Sequence, residues 1–398
     1  MKTLHGHRGV PDRVDAAIAF HRPSIGPDER AAVLEVLDSG WLTTGERALA
    51  FEDAVRAALG VRHAVAVNSA TAALHLALEG LGIRAGDEVV VPTYTFAACG
   101  EVVAYLGARP RLADIDPATL NVTAETIAAQ LTPRTRAIMV VHVGGLVAEM
   151  EPIVELSRSR GVALIEDAAH ALPATRSGRH AGTWGDAGAL SFYATKTVTT
   201  GEGGMLLTDS DALADRARVM RLHGISRDAW KRYLVGGSWY YEIEDVGFKY
   251  NLTDLAAALG LVQLRRAEEM RVARERVAAQ YRKRFTELGL LDRIDLPEEA
   301  PRGDIHAWHL YPVRLKAERA SIPRDEVIER LRTAGIATSV HFIPLHLHPY
   351  YQRALGYRPE DLPIATAEYR REISLPIYPD LTDLEIVRVT EELARSLD

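Results

Sequence analysis

The sequence predicts an α/β protein built on a largely parallel sheet, and three observations predict it. Short, almost uninterrupted apolar runs alternate with helical patterns over residues 64–208, and strands of that kind are covered by helices on both faces. At 398 residues the chain exceeds one typical core, so a second domain is expected. Its 47% hydrophobic and 25% charged residues are those of an ordinary globular protein.

In chain order, residues 1–22 are polar and patternless and read as a flexible lead-in. Gly26-Pro27-Asp28-Glu29 starts a helix, with proline at the first helical position and acids in the first turn. That helix ends near Ser39–Gly40. Phe51, Val55 and Leu59 share one face of a second helix that stops at Gly60. Seven strands are predicted: Ala64–Val67, Glu88–Val91, Arg109–Asp114, Ala137–His142, Val162–Ile165, Gly188–Tyr193 and Gly204–Thr208. A helix over Ala72–Leu81 follows the first of them. A long helical pattern runs from Thr253 to about Leu288, apolar at Leu255, Leu259 and Val262 and then heavily charged. Such a change of character marks passage between domains, expected as 23–262 and 263–398. In the second, His309–Leu315 and Ile336–Ile343 read as strands, and Arg324–Thr333 and Asp383–Ser396 as helices.

Composition removes several classes of function. A net charge of −7 leaves no basic footprint for nucleic acid. No apolar run reaches the roughly 20 residues that span a bilayer, and the N-terminus lacks the apolar core of a signal peptide. One cysteine, Cys99, excludes an internal disulfide and a multi-cysteine metal site. The expectation is a cytoplasmic, metal-free protein that touches neither nucleic acid nor membrane.

One stretch, 163–204, organises the chemistry. The strand Val162–Ile165 ends in Glu166–Asp167, and Lys196 follows the run Gly188–Tyr193, so a carboxylate and a lysine meet at one edge of the sheet. Open α/β sheets bind ligands outside the carboxyl ends of their strands. Lys196 could hold a pyridoxal cofactor covalently, with Asp167 on its ring nitrogen; on spacing alone a surface lysine and a helix-capping aspartate are the commoner case. Asn68-Ser69-Ala70-Thr71 turns from a strand into a helix, where free N–H groups make an anion site or Ser69 simply caps the helix. His341, His346 and His348 lack the carboxylates or cysteines and the spacing of a metal site.

The segments EDAAHA (166–171), SFYATKTVTTGEGG (191–204), NSATAALHLAL (68–78) and VPTYTFAA (91–98) resemble, in order along the chain, the DegT/DnrJ/EryC1/StrS family of sugar aminotransferases. The resemblance runs from about Pro23 to the C-terminus. It implies an aspartate-aminotransferase-like fold (PLP fold type I) with a mostly parallel seven-stranded sheet and a smaller α+β C-terminal domain. It implies pyridoxal 5'-phosphate as cofactor, with pyridoxamine 5'-phosphate between the half-reactions. Residue by residue, it puts Ser69, Ala70, Thr71 and Ser191 on the phosphate, Phe96 stacked on the ring, and Asp167 on the ring nitrogen. His170 lies near the ring hydroxyl, and Lys196 is the covalent anchor and proton shuttle. GFKYNLTD (247–254) resembles the motif whose asparagine, here Asn251, reaches the partner subunit's cofactor, which implies a homodimer with shared sites. Trp239 and His341 are candidate substrate contacts. KYNLTD resembles relatives that aminate C4 of a nucleotide-linked 4-keto-6-deoxysugar with glutamate as donor. A C3 keto-sugar enzyme, a cyclitol aminotransferase and a non-catalytic, PLP-binding regulatory protein are the rivals. The nucleotide, dTDP or UDP, is not specified by any of these motifs.

Overall fold

The computed structural model describes residues 17–225, 240–316, 319 and 322–398. Helices α1 (Pro27–Ser39) and α2 (Glu46–Leu59) precede the sheet, each closed by a glycine in the left-handed conformation, Gly40 and Gly60. The sheet holds β1 (His63–Val67), β2 (Glu88–Pro92), β3 (Arg109–Ala113), β4 (Thr135–Val141), β5 (Ala163–Asp167), β8 (Ala187–Ser191) and β9 (Gly204–Thr208). A hairpin of β6 (Thr175–Arg176) and β7 (Arg179–His180) interrupts the series. Helices α3 (Ala70–Gly80), α4 (Ala98–Tyr105), α5 (Ala124–Ala128) and α6 (Met150–Arg160) occupy the connections, and α7 (Asp211–Met220) follows the last strand.

All seven predicted strands lie in this one sheet, in the order β1-β9-β8-β5-β4-β2-β3. Every pairing from β8 through β3 is parallel, and β9 runs antiparallel to both its neighbours. The carboxyl ends of β1, β2, β5 and β8 and the amino end of β9 therefore share one edge. Helix α3 buries every residue from Ala72 to Leu78, and a helix apolar all round belongs inside. Each leucine so buried contributes about 1.5–3 kcal/mol.

The long pattern from Thr253 is two helices, α8 (Asp254–Arg265) and α9 (Ala267–Glu287), broken at Arg266, whose φ −97° and ψ 2° leave the helical region. Ala267 and Met270 pack in the core around the sheet, while Val277, Ala278, Tyr281 and Phe285 pack in a second core. The chain thus crosses between cores inside α9. The second core surrounds a small sheet of β10 (Ile294–Asp295), β11 (Tyr311–Leu315) and β12 (Glu372–Leu375), with α10 (Arg324–Thr333) and α13 (Asp383–Ser396). Between them α11 (Pro349–Leu355) and α12 (Pro363–Arg371) return to the first core through Tyr351 and Ala365.

Two further sequence expectations differ from this structure. Residues 336–343 form no strand: their backbone pairs only in single bridges, Ile336 to Ile18 and Ser339 to Ser374. Only Ile336 and Phe342 of the segment are buried, and Ile343 is exposed. Residues 17–22 are packed rather than free, because Ile18 is 1% exposed in the second core and Phe20 stacks on His341 at 5.5 Å. Among the described residues no helix is long and apolar enough to cross a membrane, and no group of three or more His, Cys, Asp or Glu could hold a metal ion.

Candidate active site

The alternation of β5 sends its last two acids to opposite faces. Glu166 is fully buried and accepts from the backbone N–H groups of Gly182 (2.8 Å), Trp184 (2.5 Å) and Gly185 (2.8 Å). It also accepts from His142 Nε2 at 2.9 Å; His142 Nδ1 accepts from the Ala148 N–H, so Nε2 carries the proton. Asp167 faces the shared edge instead. Its Oδ1 accepts from the Ala169 N–H at 3.0 Å and its Oδ2 from the Cys99 thiol at 3.0 Å, which fixes the plane of the carboxylate.

Lys196 sits in the turn after β8, whose Lys196 N–H to Tyr193 carbonyl bond is 2.9 Å. Burial pushes the lysine down to about 8; the Asp167 charge opposes this and the Arg274 charge adds to it. Burial lowers an arginine as well, but from so high a start that it stays charged, whereas the lysine comes within reach of neutral pH. Arg274, on α9, is itself 1% exposed and donates to the Ile377 carbonyl at 2.8 Å, while its Nε and Nη2 find no partner among the described residues.

The start of α3 lies at the same edge. Ser69 Oγ accepts from the Ala72 N–H at 3.1 Å, so the serine caps the helix, and the amides of Ala70 and Thr71 precede the first helical hydrogen bond, Ala73 N–H to the Ser69 carbonyl. Gly204 makes this approach possible, since a Cβ there would collide with the Ser69 carbonyl group and the Ala70 nitrogen. Ser191 pairs with Gly204 in the sheet and its Oγ accepts from the Tyr193 N–H at 3.3 Å. Phe96, after β2, is 65% exposed, which a core phenylalanine is not.

The KYNLTD segment meets this corner from its own chain. Asn251 bridges Val67, and the Asn68 N–H donates to the Tyr250 carbonyl at 2.7 Å. The Asn251 amide donates to Thr44 Oγ1 at 2.7 Å and its oxygen accepts from Lys249 Nζ. Thr253 caps α8, and Asp254 accepts the N–H groups of Gly45, Arg47 and Ala48 at the start of α2. Half of the motif is thus helix-capping hardware.

Facing this floor stands a wall of histidines. His309 Nε2 lies 3.4 Å from Lys196 Nζ, and its ring centroid is 4.3 Å from that of His170. His170 Nδ1 accepts from the Gly144 N–H at 3.4 Å, and its ring stacks on Phe342 at 5.6 Å. His341 follows, 5.3 Å from Phe342. His21 Nε2 contacts the Ala194 carbonyl at 3.1 Å, in the lysine's own turn. Burial first, and the Lys196 charge with it, holds His170 and His309 well below the usual imidazole range and His341 at about 4. In His21, at about 4, burial leads and Arg274 comes before Lys196. At neutral pH these four rings are uncharged. His346 belongs elsewhere: it bonds Thr93 Oγ1 at 2.7 Å and Thr366 Oγ1 at 2.8 Å and latches the chain before Phe96. Trp239 lies outside the described residues.

Asp167, Lys196, Ser69, Ala70, Thr71, Phe96, His170 and Ser191 are thus gathered at one edge, and His341 joins them through Phe342. Sequence reasoning missed His309, His21, Arg274 and Cys99. Only Cys99, four residues past Thr95 at the start of a helix beside the edge, carried a local signal.

The model of the DegT/DnrJ/EryC1/StrS aminotransferase family matches residues 23–394. This chain belongs to that family. It is 45% identical over 375 residues to the spore coat polysaccharide biosynthesis protein SpsC of Bacillus subtilis, covering 94% of this chain and 95% of that one. Among solved structures it is similar to the aminotransferase TlmJ from Streptoalloteichus hindustanus, at 37% identity and TM-score 0.87, covering 96% and 98% of the two chains. It is also similar to Spr1654 from Streptococcus pneumoniae, solved in PLP and PMP forms, at 30% identity, with TM-scores of 0.87 and 0.88 and 95–96% of this chain and 98% of that one covered. The protein is accordingly a PLP-dependent sugar aminotransferase of fold type I. The residues present fit the cofactor: free helix N–H groups for a phosphate, an acid fixed by two donors, an exposed aromatic and a lysine pushed toward its neutral form. When bound, PLP supplies an electron-withdrawing ring and a carbon that receives the amino group.

Proposed function

We propose that this aminotransferase moves the amino group of glutamate to C4 of a nucleotide-linked 4-keto-6-deoxysugar. The observation that carries the chemistry is the convergence of Asp167 and Lys196 on one sheet edge, with the lysine beside His309. Lys196 holds the cofactor and moves the proton between the two carbons that exchange the amine; burial keeps a useful share of it unprotonated near neutral pH. Asp167, aligned by Cys99 and Ala169, keeps the ring nitrogen charged. Ala70, Thr71, Ser69 and Ser191 bind the phosphate, Phe96 covers the ring, and His170 lies beside it. His341 and Trp239 meet the sugar.

Support for C4 comes from KYNLTD, and the name of SpsC, a polysaccharide biosynthesis protein, supports a sugar acceptor. Offering purified enzyme and glutamate a panel of 3-keto and 4-keto nucleotide sugars and keto-inositols tests this directly. Turnover confined to 3-keto sugars or to cyclitols would overturn the C4 reading.

The enzyme works as a homodimer whose sites both chains complete, with Asn251 reaching the neighbour's phosphate. Apolar exposure next to the motif supports an interface there: Ile243 is 70% and Val246 86% exposed. Mixing Lys196→Ala with Asn251→Asp tests the sharing. Both lesions then fall on one site of a mixed dimer and the other is wild type, so activity returns on subunit exchange. Verified heterodimers that stay inactive would place Asn251 at its own chain's phosphate.

A further inference from the structure

His341 is held on every side but one. Phe20 stacks on its ring at 5.5 Å and 21°, and Phe342 meets it edge-on at 5.3 Å. Its Nδ1 is 2.9 Å from Ser374 Oγ, which is 2.5 Å from Glu372 Oε1. Its backbone N–H donates to Glu372 Oε2 at 2.9 Å. Ser374 and Glu372 are fully buried in β12, and Ser374 is fixed there by paired backbone bonds with Ser339 (2.8 and 3.2 Å). His341 Nε2 has no partner among the described residues, and the ring is only half-buried. That free nitrogen stands on the wall that continues through Phe342, His170 and His309 to Lys196.

We propose that Glu372, Ser374 and His341 form a proton relay whose working end is His341 Nε2. The hydrogen bonds allow two arrangements. With Glu372 protonated, Oε2 is committed to accepting the His341 amide, so the proton sits on Oε1 and is donated to Ser374 Oγ. The serine hydroxyl must then donate to Nδ1, and Nε2 carries a hydrogen. With Glu372 ionised, the serine donates to Oε1, Nδ1–H donates to the serine, and Nε2 offers a lone pair. Passing from the first arrangement to the second releases one proton at Nε2: Glu372 gives its proton to Ser374, Ser374 gives its own to Nδ1, and the imidazole stays neutral throughout. The reverse step takes the proton back, so the relay is restored within a turnover.

The groups around the relay suit that exchange. Burial pushes Glu372 up to about 8, against the opposing pull of the Ser374 and His341 hydrogen bonds and of the Arg324 and Arg314 charges. The buried Tyr94 phenol also feels Glu372 and is itself pushed well up, so it stays neutral. Burial, and from the site side the Lys196 charge, keep the His341 imidazole neutral, so the proton passes along the wire instead of resting on the ring. Amination of a ketone expels its oxygen as water, which calls for a donor beside that oxygen that is reprotonated afterwards. In this use the relay rests on the reading of His341 as a residue that meets the sugar. Glu372 and Ser374 are positioning residues, since they act only through His341.

The test is nitrogen-15 NMR of histidine-labelled full-length protein, with and without PLP, read beside the infrared carbonyl band of Glu372. The expected result is that His341 stays neutral and changes tautomer, Nε2–H below and Nδ1–H above the titration of Glu372. Glu372→Gln should freeze the tautomer at all pH values. Ser374→Ala, a milder change, should let Glu372 titrate while His341 no longer follows, and should lower kcat for ketone amination at neutral pH by roughly 10²-fold, the low end for one lost acid–base group. A His341 that becomes an imidazolium near its ordinary range, or one tautomer persisting through the titration of Glu372, overturns the relay, as does an unchanged kcat in Ser374→Ala. A different acceptor sugar would change which ketone turns over and leave the tautomer exchange intact, so the two readings fail separately.

Discussion

The floor of the site and its wall are built by different rules. The floor is the sheet edge, where Asp167 and Ser191 end strands, Ser69 and Lys196 lie two and five residues past strand ends, and register positions them. The wall comes from loops before and around β12, where His309 and His341 are brought in by packing against His170, Phe342 and Phe20 and by the bonds of His341 to Glu372 and Ser374 of β12. The floor holds charge: an acid, a lysine at about 8 and a helix N-terminus. The wall is stripped of it, every imidazole being held neutral by burial. Chemistry that forms and discharges ions on the floor is thus faced by polar groups that can move protons without competing for them.

The largest effect that would break this division is on the floor. Lys196→Ala should abolish both half-reactions, a loss beyond the roughly 10²–10⁴-fold of one acid–base group, because the anchor goes with the shuttle. The check is the absorbance change of the cofactor on adding glutamate in single turnover. Borohydride should also attach the cofactor to the peptide carrying Lys196 in the parent protein, and attachment to another lysine would show that the floor is misassigned.

Asp167→Asn ranks next. It keeps the shape and the Ala169 and Cys99 neighbours but removes the charge, so both half-reactions should slow by about 10²–10³-fold, the scale of one lost electrostatic partner. Cofactor retention, measured after gel filtration, should change little. Rates near wild type would mean that the charge comes from the wall after all.

How far the two regions could be read in advance follows from the same distinction. Asp167 and Lys196 announce themselves because a strand that ends in an acid, and another that runs into a lysine turn, must deliver both to one edge of a parallel sheet. The seven strands were legible for the same local reason. His309 carries no such mark: it sits two residues before β11 and meets Lys196 from 113 residues away in sequence. Glu372 looked like one more charged residue after α12, and nothing local reveals that it is fully buried beneath His341. Ile18 and Phe20 were lost in a polar lead-in because two apolar residues make no period. The break at Arg266 was hidden too, since both flanking helices share one continuous pattern.

Glu166 sharpens the comparison from within a single strand. It differs from Asp167 by one position and one face, and it holds the 182–185 loop where Asp167 holds chemistry. Glu166→Gln puts an amide NH2 against two of four donors, either the Trp184 and Gly185 amides on Oε1 or the Gly182 amide and His142 Nε2 on Oε2. The cost should be about 1–3 kcal/mol of stability for each buried donor left facing the amide, with kcat of the surviving folded enzyme within a few-fold of the parent. Chemical denaturation of the two variants side by side checks this: Glu166→Gln should lose stability and Asp167→Asn activity.

The smallest effect expected lies where floor and wall meet, in the stability of the cofactor-free protein. Burial and Arg274 hold Lys196 at about 8, against 10.5 for an ordinary lysine. The folded state therefore binds fewer protons than the unfolded chain between those two values, and stability rises with pH wherever the unfolded state binds more. Below about 8 the lysine is charged in both states and the full penalty of burying its ammonium applies. The penalty is relieved as pH climbs through the window and is gone above 10.5, where both states are neutral. Lys196→Ala removes the group altogether. The variant should thus be more stable than the parent at neutral pH, with an advantage that shrinks steadily as pH rises through the window. Thermal denaturation of both apo-proteins across that range measures it. An advantage that stays constant with pH would mean that the lysine's ammonium is well solvated and that the wall leaves its charge undisturbed.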